Sequence, residues 1–83
     1  MGHIPVDLEA LNCDYYGSSL HKWLSAPLGA GILYVRSEHI PRIWPLLAQH
    51  KSDPQDIIRL NHTGTHPVHT DLAIENAMEY LQM

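Results

Sequence analysis

The chain has 83 residues, nine acidic against five basic side chains, a formal charge of −4 and a hydrophobic fraction of 45%. That composition is globular rather than disordered, and with no basic stripe along it nucleic acid is not an expected partner. Its length allows one domain at most, and a chain so short buries only about 60% of the surface it exposes when unfolded, so its own stability is marginal.

Cys13 is the single cysteine, which excludes an internal disulfide and a cysteine-based zinc motif and fits a reducing, cytoplasmic setting. No apolar run approaches the roughly 20 residues that cross a bilayer, so no membrane partner is expected. The opening Met1–Asp7 lacks the charged-then-apolar order of a secretory signal. Met1-Gly2 begins like a myristoylation site, but Val6 stands where Ser or Thr is required.

In chain order, Asp7 is a natural N-cap for a short Leu8–Leu11 turn, and Asn12 a natural stop. Cys13-Asp14-Tyr15-Tyr16 reads as a brief strand ended by Gly17-Ser18-Ser19. Leu20–Leu24 is compact and partly apolar, and breakers from Ser25 to Gly31 follow it. Ile32-Leu33-Tyr34-Val35 is apolar throughout and predicts a strand buried on both faces. Ser37 can cap a short helix through Glu38 and His39, after which Pro41 and Pro45 allow only short pieces. His50–Gln55 reads as an exposed loop, and Asp56–Leu60 as helix or strand with equal ease. From Thr70, a candidate cap, the spacing of Ile74, Ala77, Met78 and Leu81 predicts an amphipathic helix. Strands alternating with helices indicate an α/β arrangement.

The stretch richest in chemistry is Ser19-Leu20-His21-Lys22-Trp23. It follows a strand and precedes a Pro/Gly loop, and ligands of open α/β sheets gather beyond the carboxyl ends of strands. A partly desolvated lysine there can act as an amine nucleophile toward a carbonyl, with hydroxyl and imidazole donors beside it suited to a phosphate. On spacing alone, a surface lysine next to a half-buried tryptophan is the simpler reading. His62, His66 and His69 have spacings that invite a metal, but Gly64 and Pro67 break any helix there and no fourth ligand completes a tetrahedral set. No metal site is therefore assigned. The alternative is a small non-catalytic binding or assembly module with a histidine metal site. Gly29-Ala30-Gly31 is not a dinucleotide fingerprint. Cys13 reads as a small buried core residue, and Trp23 and Trp44 as packing residues.

Taken together, Ile4-Pro5-Val6-Asp7-Leu8, Cys13-Asp14-Tyr15-Tyr16, Ser19-Leu20-His21-Lys22-Trp23-Leu24, Pro27-Leu28-Gly29-Ala30-Gly31 and Ile32-Leu33-Tyr34-Val35-Arg36 resemble the aminotransferase class V family. These are fold-type I enzymes dependent on pyridoxal 5'-phosphate, among them cysteine desulfurases, kynureninase and isopenicillin N epimerase. The epimerase-like members share the His21-Lys22-Trp23-Leu24 form and the later Thr63-Gly64-Thr65. The resemblance implies that residues 1–83 are a single partial domain, part of the large domain of that fold, with the Cys13–Tyr16 and Ile32–Val35 strands in its sheet. It implies that Lys22 forms a Schiff base with the cofactor, that Ser19 and His21 contact its phosphate, and that Thr65 reaches the phosphate of a neighbouring subunit in a homodimer. Amino acids are the implied substrates, through transamination, epimerisation, desulfuration or cleavage.

Two departures matter. The family often continues Gly-Thr with Arg-Asp, where this chain has His66-Pro67. Cys13 precedes Lys22, whereas the desulfurase nucleophile follows its lysine. The family's Asp-x-x-His element, its earlier phosphate-cradling loop, its stacking aromatic and its substrate-binding arginine all fall outside these residues. The isolated chain is accordingly expected to lack efficient turnover.

Overall fold

Asp7 opens the first element. Its Oδ1 accepts from the backbone N–H groups of Glu9 and Ala10, both at 3.0 Å, satisfying donors that a helix start leaves unpaired. Helix α1 spans Leu8–Leu11 and stops at Asn12, which takes the left-handed conformation at φ 51°. A computed structural model describes residues 1–47, 53–61 and 64–83.

Strand β1 runs Tyr15–Ser19 and pairs antiparallel with β2, Gly31–Val35, in a two-stranded sheet whose register sets Tyr15 opposite Val35 and Ser19 opposite Gly31. A 3-10 turn, Ser37–Arg42, follows, and a second, Ile57–Leu60, precedes helix α2 at Val68–Gln82. This is a small α/β arrangement with a C-terminal helix.

Four expectations change. β1 starts two residues late and passes through Gly17-Ser18-Ser19, because the ladder to β2 supplies those residues with partners that outweigh their turn preference. β2 is a strand, but its side chains are mostly open: Ile32 is 41% and Leu33 60% exposed. An apolar run signals double-sided burial only where layers cover both faces, and two strands leave most of this one bare. Helix α2 begins before Thr70, whose hydroxyl donates back to the Pro67 carbonyl at 2.8 Å from a buried position instead of capping. Ser37 does not cap its turn either; Arg36 holds that position without a side-chain bond.

The core gathers Leu20, Leu24, Ala26, Ala30 and Ala77, with Met1 and Ile74 packed against it. It lies between α2 and the loop joining the two strands. Trp23 and Trp44 do not contribute: they are 63% and 91% exposed. Cys13 is half-buried rather than a core residue. Of the exposed loop expected at His50–Gln55, residues 50–52 lie outside the described residues; Asp53–Gln55 form a turn in which the Gln55 N–H donates to Asp53 Oδ1.

Candidate functional site

The segment after β1 is held largely by its own backbone. The Leu20 N–H donates to the Ala30 carbonyl at 3.1 Å, the Ala26 N–H to Leu20 at 3.1 Å, and the Ser25 N–H to Lys22 at 3.1 Å. Leu20 and Leu24 turn into the core, which leaves Lys22 and Trp23 exposed and His21 half-buried. The amino terminus packs on the same loop. Gly2 adopts φ +86°, and a Cβ there would sit 2.6 Å from the Leu24 nitrogen, so only glycine allows this approach. Next to it the His3 and Trp23 rings lie 4.2 Å apart.

Beyond the carboxyl end of β1 is an open depression of about 670 Å³. Its polar side chains are Ser18, Ser19, His21 and Asn61, and glycines at 17, 29 and 31 widen it. Ser18 donates its hydroxyl to the Ser19 carbonyl at 3.2 Å. The Nδ1 atom of His21 is buried with no hydrogen-bond partner among the described residues. A buried polar atom left unpaired costs about 1–3 kcal/mol, and the lining that includes His21 has no acidic side chain among the described residues, which suits an anion.

Of the residues singled out from sequence, Ser19 and His21 come together here. Lys22 is their chain neighbour but lies outside the lining, and it is exposed rather than partly desolvated. The reason is geometric: among the described residues no layer covers Lys22 on the side away from the core. Thr65 is exposed and does not line the depression either; Gly64 before it takes φ +76°.

His62 lies outside the described residues. His66 faces Asp71 Oδ2 through Nε2 at 3.1 Å and the Gly64 carbonyl through Nδ1 at 3.3 Å, and those two acceptors raise its pKa above the usual histidine value, the carbonyl first. His69 is exposed on α2. A different group, Asp14, Glu38 and His39, brings its ligand atoms within 4.8 Å of one another. Sequence gave no signal for it, since Asp14 stands before β1 and the other two follow β2. Asp14 is already engaged by His39 at 2.9 Å and by Arg36 Nε at 3.4 Å, which makes this a polar clamp. Asn61 was also missed, being a lone amide 40 residues on from the lysine stretch; only the fold places it in the depression.

The Aminotransferase class-V family model matches residues 1–83, and the chain belongs to that family, whose members depend on pyridoxal phosphate. Among curated relatives, it is 51% identical over 43 residues to a cysteine desulfurase of Klebsiella pneumoniae subsp. pneumoniae, covering 52% of this chain and 10% of that protein. It is 58% identical over 33 residues to an isopenicillin N epimerase of Amycolatopsis lactamdurans, covering 40% of this chain and 8% of the relative. An isopenicillin N epimerase of Streptomyces clavuligerus is 33% identical over 55 residues, covering 66% of this chain and 14% of the relative. The matched stretch thus spans about a tenth of the length of these relatives. No solved structure matches the chain. No helix among the described residues is long and apolar enough to cross a membrane.

Proposed function

We propose that this chain is the lysine-bearing segment of a pyridoxal-phosphate-dependent enzyme that acts on amino acids. Lys22 bonds the cofactor carbonyl through its amine, Ser19 and His21 hold the phosphate, and Thr65 reaches the phosphate carried by a second copy in a homodimer. The observation that supports this reading most is that Ser19 and His21 line one depression, with Lys22 next in the chain.

The chemistry follows from the residue types. When bound, the cofactor supplies an electron sink for charge that develops at the substrate alpha carbon. Ser19 and His21 are hydrogen-bonding groups that suit a phosphate and fix its position. Lys22 would hold the cofactor through its amine, and that amine would be the base suited to moving a proton at that carbon. The expectation that the chain alone turns substrate over poorly rests on the family elements that fall outside these residues, and the exposure of Lys22 is in keeping with it.

The test is chemical trapping. Incubate the chain with pyridoxal phosphate, reduce with borohydride, digest, and locate the added mass. It is expected on Lys22, and Lys22→Ala should abolish it there. Equal labelling of Lys22 and Lys51, the only two lysines of the chain, would show indiscriminate surface chemistry and remove the proposal.

A further inference from the structure

We infer that Asn61 is a third polar side chain of this site, donating its carboxamide to the phosphate group held beside Ser19 and His21. The inference rests on the reading of the site given above and adds to it a residue from a distant part of the chain.

Among the described residues that line the depression, Asn61 is the only one from beyond β2; the others lie between residues 17 and 33. Its position is built, not incidental. The preceding 3-10 turn Ile57–Leu60 starts from Asp56, whose Oδ1 accepts from the Ile58 N–H at 3.0 Å. The turn is then tied to the segment after β2 by Arg59, whose Nη1 donates to the carbonyls of Ile40 and Ile43, both at 2.7 Å. Asn61 closes it, its N–H donating to the Ile58 carbonyl at 3.0 Å. A chain of contacts thus fixes the backbone from which the amide projects.

The chemistry of the side chain fits the place. Asn61 is exposed and its carboxamide makes no hydrogen bond to other described residues, so both N–H donors are available. A carboxamide offers those donors without the negative charge that would repel a phosphate. With the Ser18 hydroxyl turned to the neighbouring Ser19 carbonyl, Asn61 is the polar side chain that lines the depression together with Ser19 and His21 among the described residues.

The experiment measures binding of pyridoxal phosphate, pyridoxal and inorganic phosphate to the full chain by equilibrium dialysis, with Asn61→Ala, Asn61→Asp, Ser19→Ala and His21→Ala. Asn61→Ala should weaken pyridoxal phosphate and inorganic phosphate about tenfold, the effect of losing one hydrogen bond to a charged group. Asn61→Asp should weaken both further, and pyridoxal, which lacks the phosphate, should bind all Asn61 variants as it binds the parent. That last measurement also separates loss of a contact from loss of folding. If Ser19→Ala and His21→Ala weaken phosphate binding while Asn61→Ala does not, the assignment of Asn61 is overturned and the site stands. If the parent chain binds none of the phosphate compounds, or the Ser19 and His21 variants bind them unchanged, the site itself is overturned, and Asn61 with it.

Discussion

The Asp14 carboxylate and the His39 ring nitrogen meet at 2.9 Å across 25 positions of sequence. The same carboxylate oxygen lies 3.4 Å from Arg36 Nε, and Arg36 Nη2 donates to Asn12 Oδ1 at 2.8 Å and to the Cys13 carbonyl at 3.1 Å. These contacts tie the segment before β1 to the turn after β2, at the end of the sheet opposite the depression. The Tyr15 and His39 rings stack at 5.4 Å over the same joint.

The hydrogen bond from His39, followed by the charges of His39 and Arg36, holds the Asp14 carboxyl below its ordinary value of 3.8. A carboxyl whose pKa is lower in the folded chain contributes stability that is complete above the unfolded value and is lost as pH falls through the folded one. Unfolding midpoints in urea should therefore fall as pH is lowered from about 5 through the acid range. Asp14→Asn should flatten that limb, and an acid limb unchanged in the variant would show that the joint carries no such linkage.

His66 runs the other way. Both ring nitrogens face acceptors, the Gly64 carbonyl and Asp71, and only the imidazolium donates from both. Its pKa is raised from 6.5, by the carbonyl first and then by Asp71. Stability from a raised group is fully present below the unfolded value and disappears as pH climbs through the folded one. The NMR titration of His66 should have its midpoint above 6.5 and fall toward it in Asp71→Asn. The Gly64 and Thr65 amide signals should follow the same curve, because the ring bonds the Gly64 carbonyl between them. A midpoint indifferent to Asp71→Asn would break this account.

What the sequence disclosed tracks how local the governing physics is. Asp7 and Asn12 announced α1 because a cap needs only neighbours within three residues. The spacing of Ile74, Ala77, Met78 and Leu81 announced α2 because helix periodicity is read within one element, although Met78 and Leu81 are exposed on it. Family membership was legible for a related reason, the Ser19–Lys22 element and the Pro27–Gly31 loop being contiguous. The exposure of Ile32 and Leu33 was not, since it depends on which layers cover a strand, and that is no property of the strand. Asn61 and the Asp14–His39 joint were equally hidden, because each couples residues the chain holds far apart until it folds.

Arg59 tests whether the second 3-10 turn depends on its anchor. Its guanidinium serves two carbonyls at 2.7 Å from a half-buried position, and hydrogen bonds from charged donors are worth about 1.5–3 kcal/mol. Arg59→Ala should lower stability by about 2 kcal/mol in urea unfolding. Arg59→Lys should recover only part of this, since one ammonium does not reproduce the planar fork. Full stability in Arg59→Ala would mean that the turn is held by other contacts.

Gly2 tests how far the Lys22 loop depends on the amino terminus that leans on it. At φ +86° any side chain is strained, and a Cβ would meet the Leu24 nitrogen at 2.6 Å and the Trp23 carbonyl carbon at 2.7 Å. These are backbone atoms, which do not swing aside as a side-chain tip would, so the terminus must lift. Lifting it uncovers Met1 from the core beside Leu20 and Leu24 and parts the His3 and Trp23 rings. Strain of this kind costs about 1–3 kcal/mol, and the lost contacts add to it. Gly2→Ala should therefore lower the urea midpoint and shift Trp23 fluorescence toward that of a free indole, whereas Gly29→Ala, at φ +98° but with open space around its Cβ, should cost the backbone strain alone. Equal losses in the two variants would mean that the close approach at Gly2 contributes nothing.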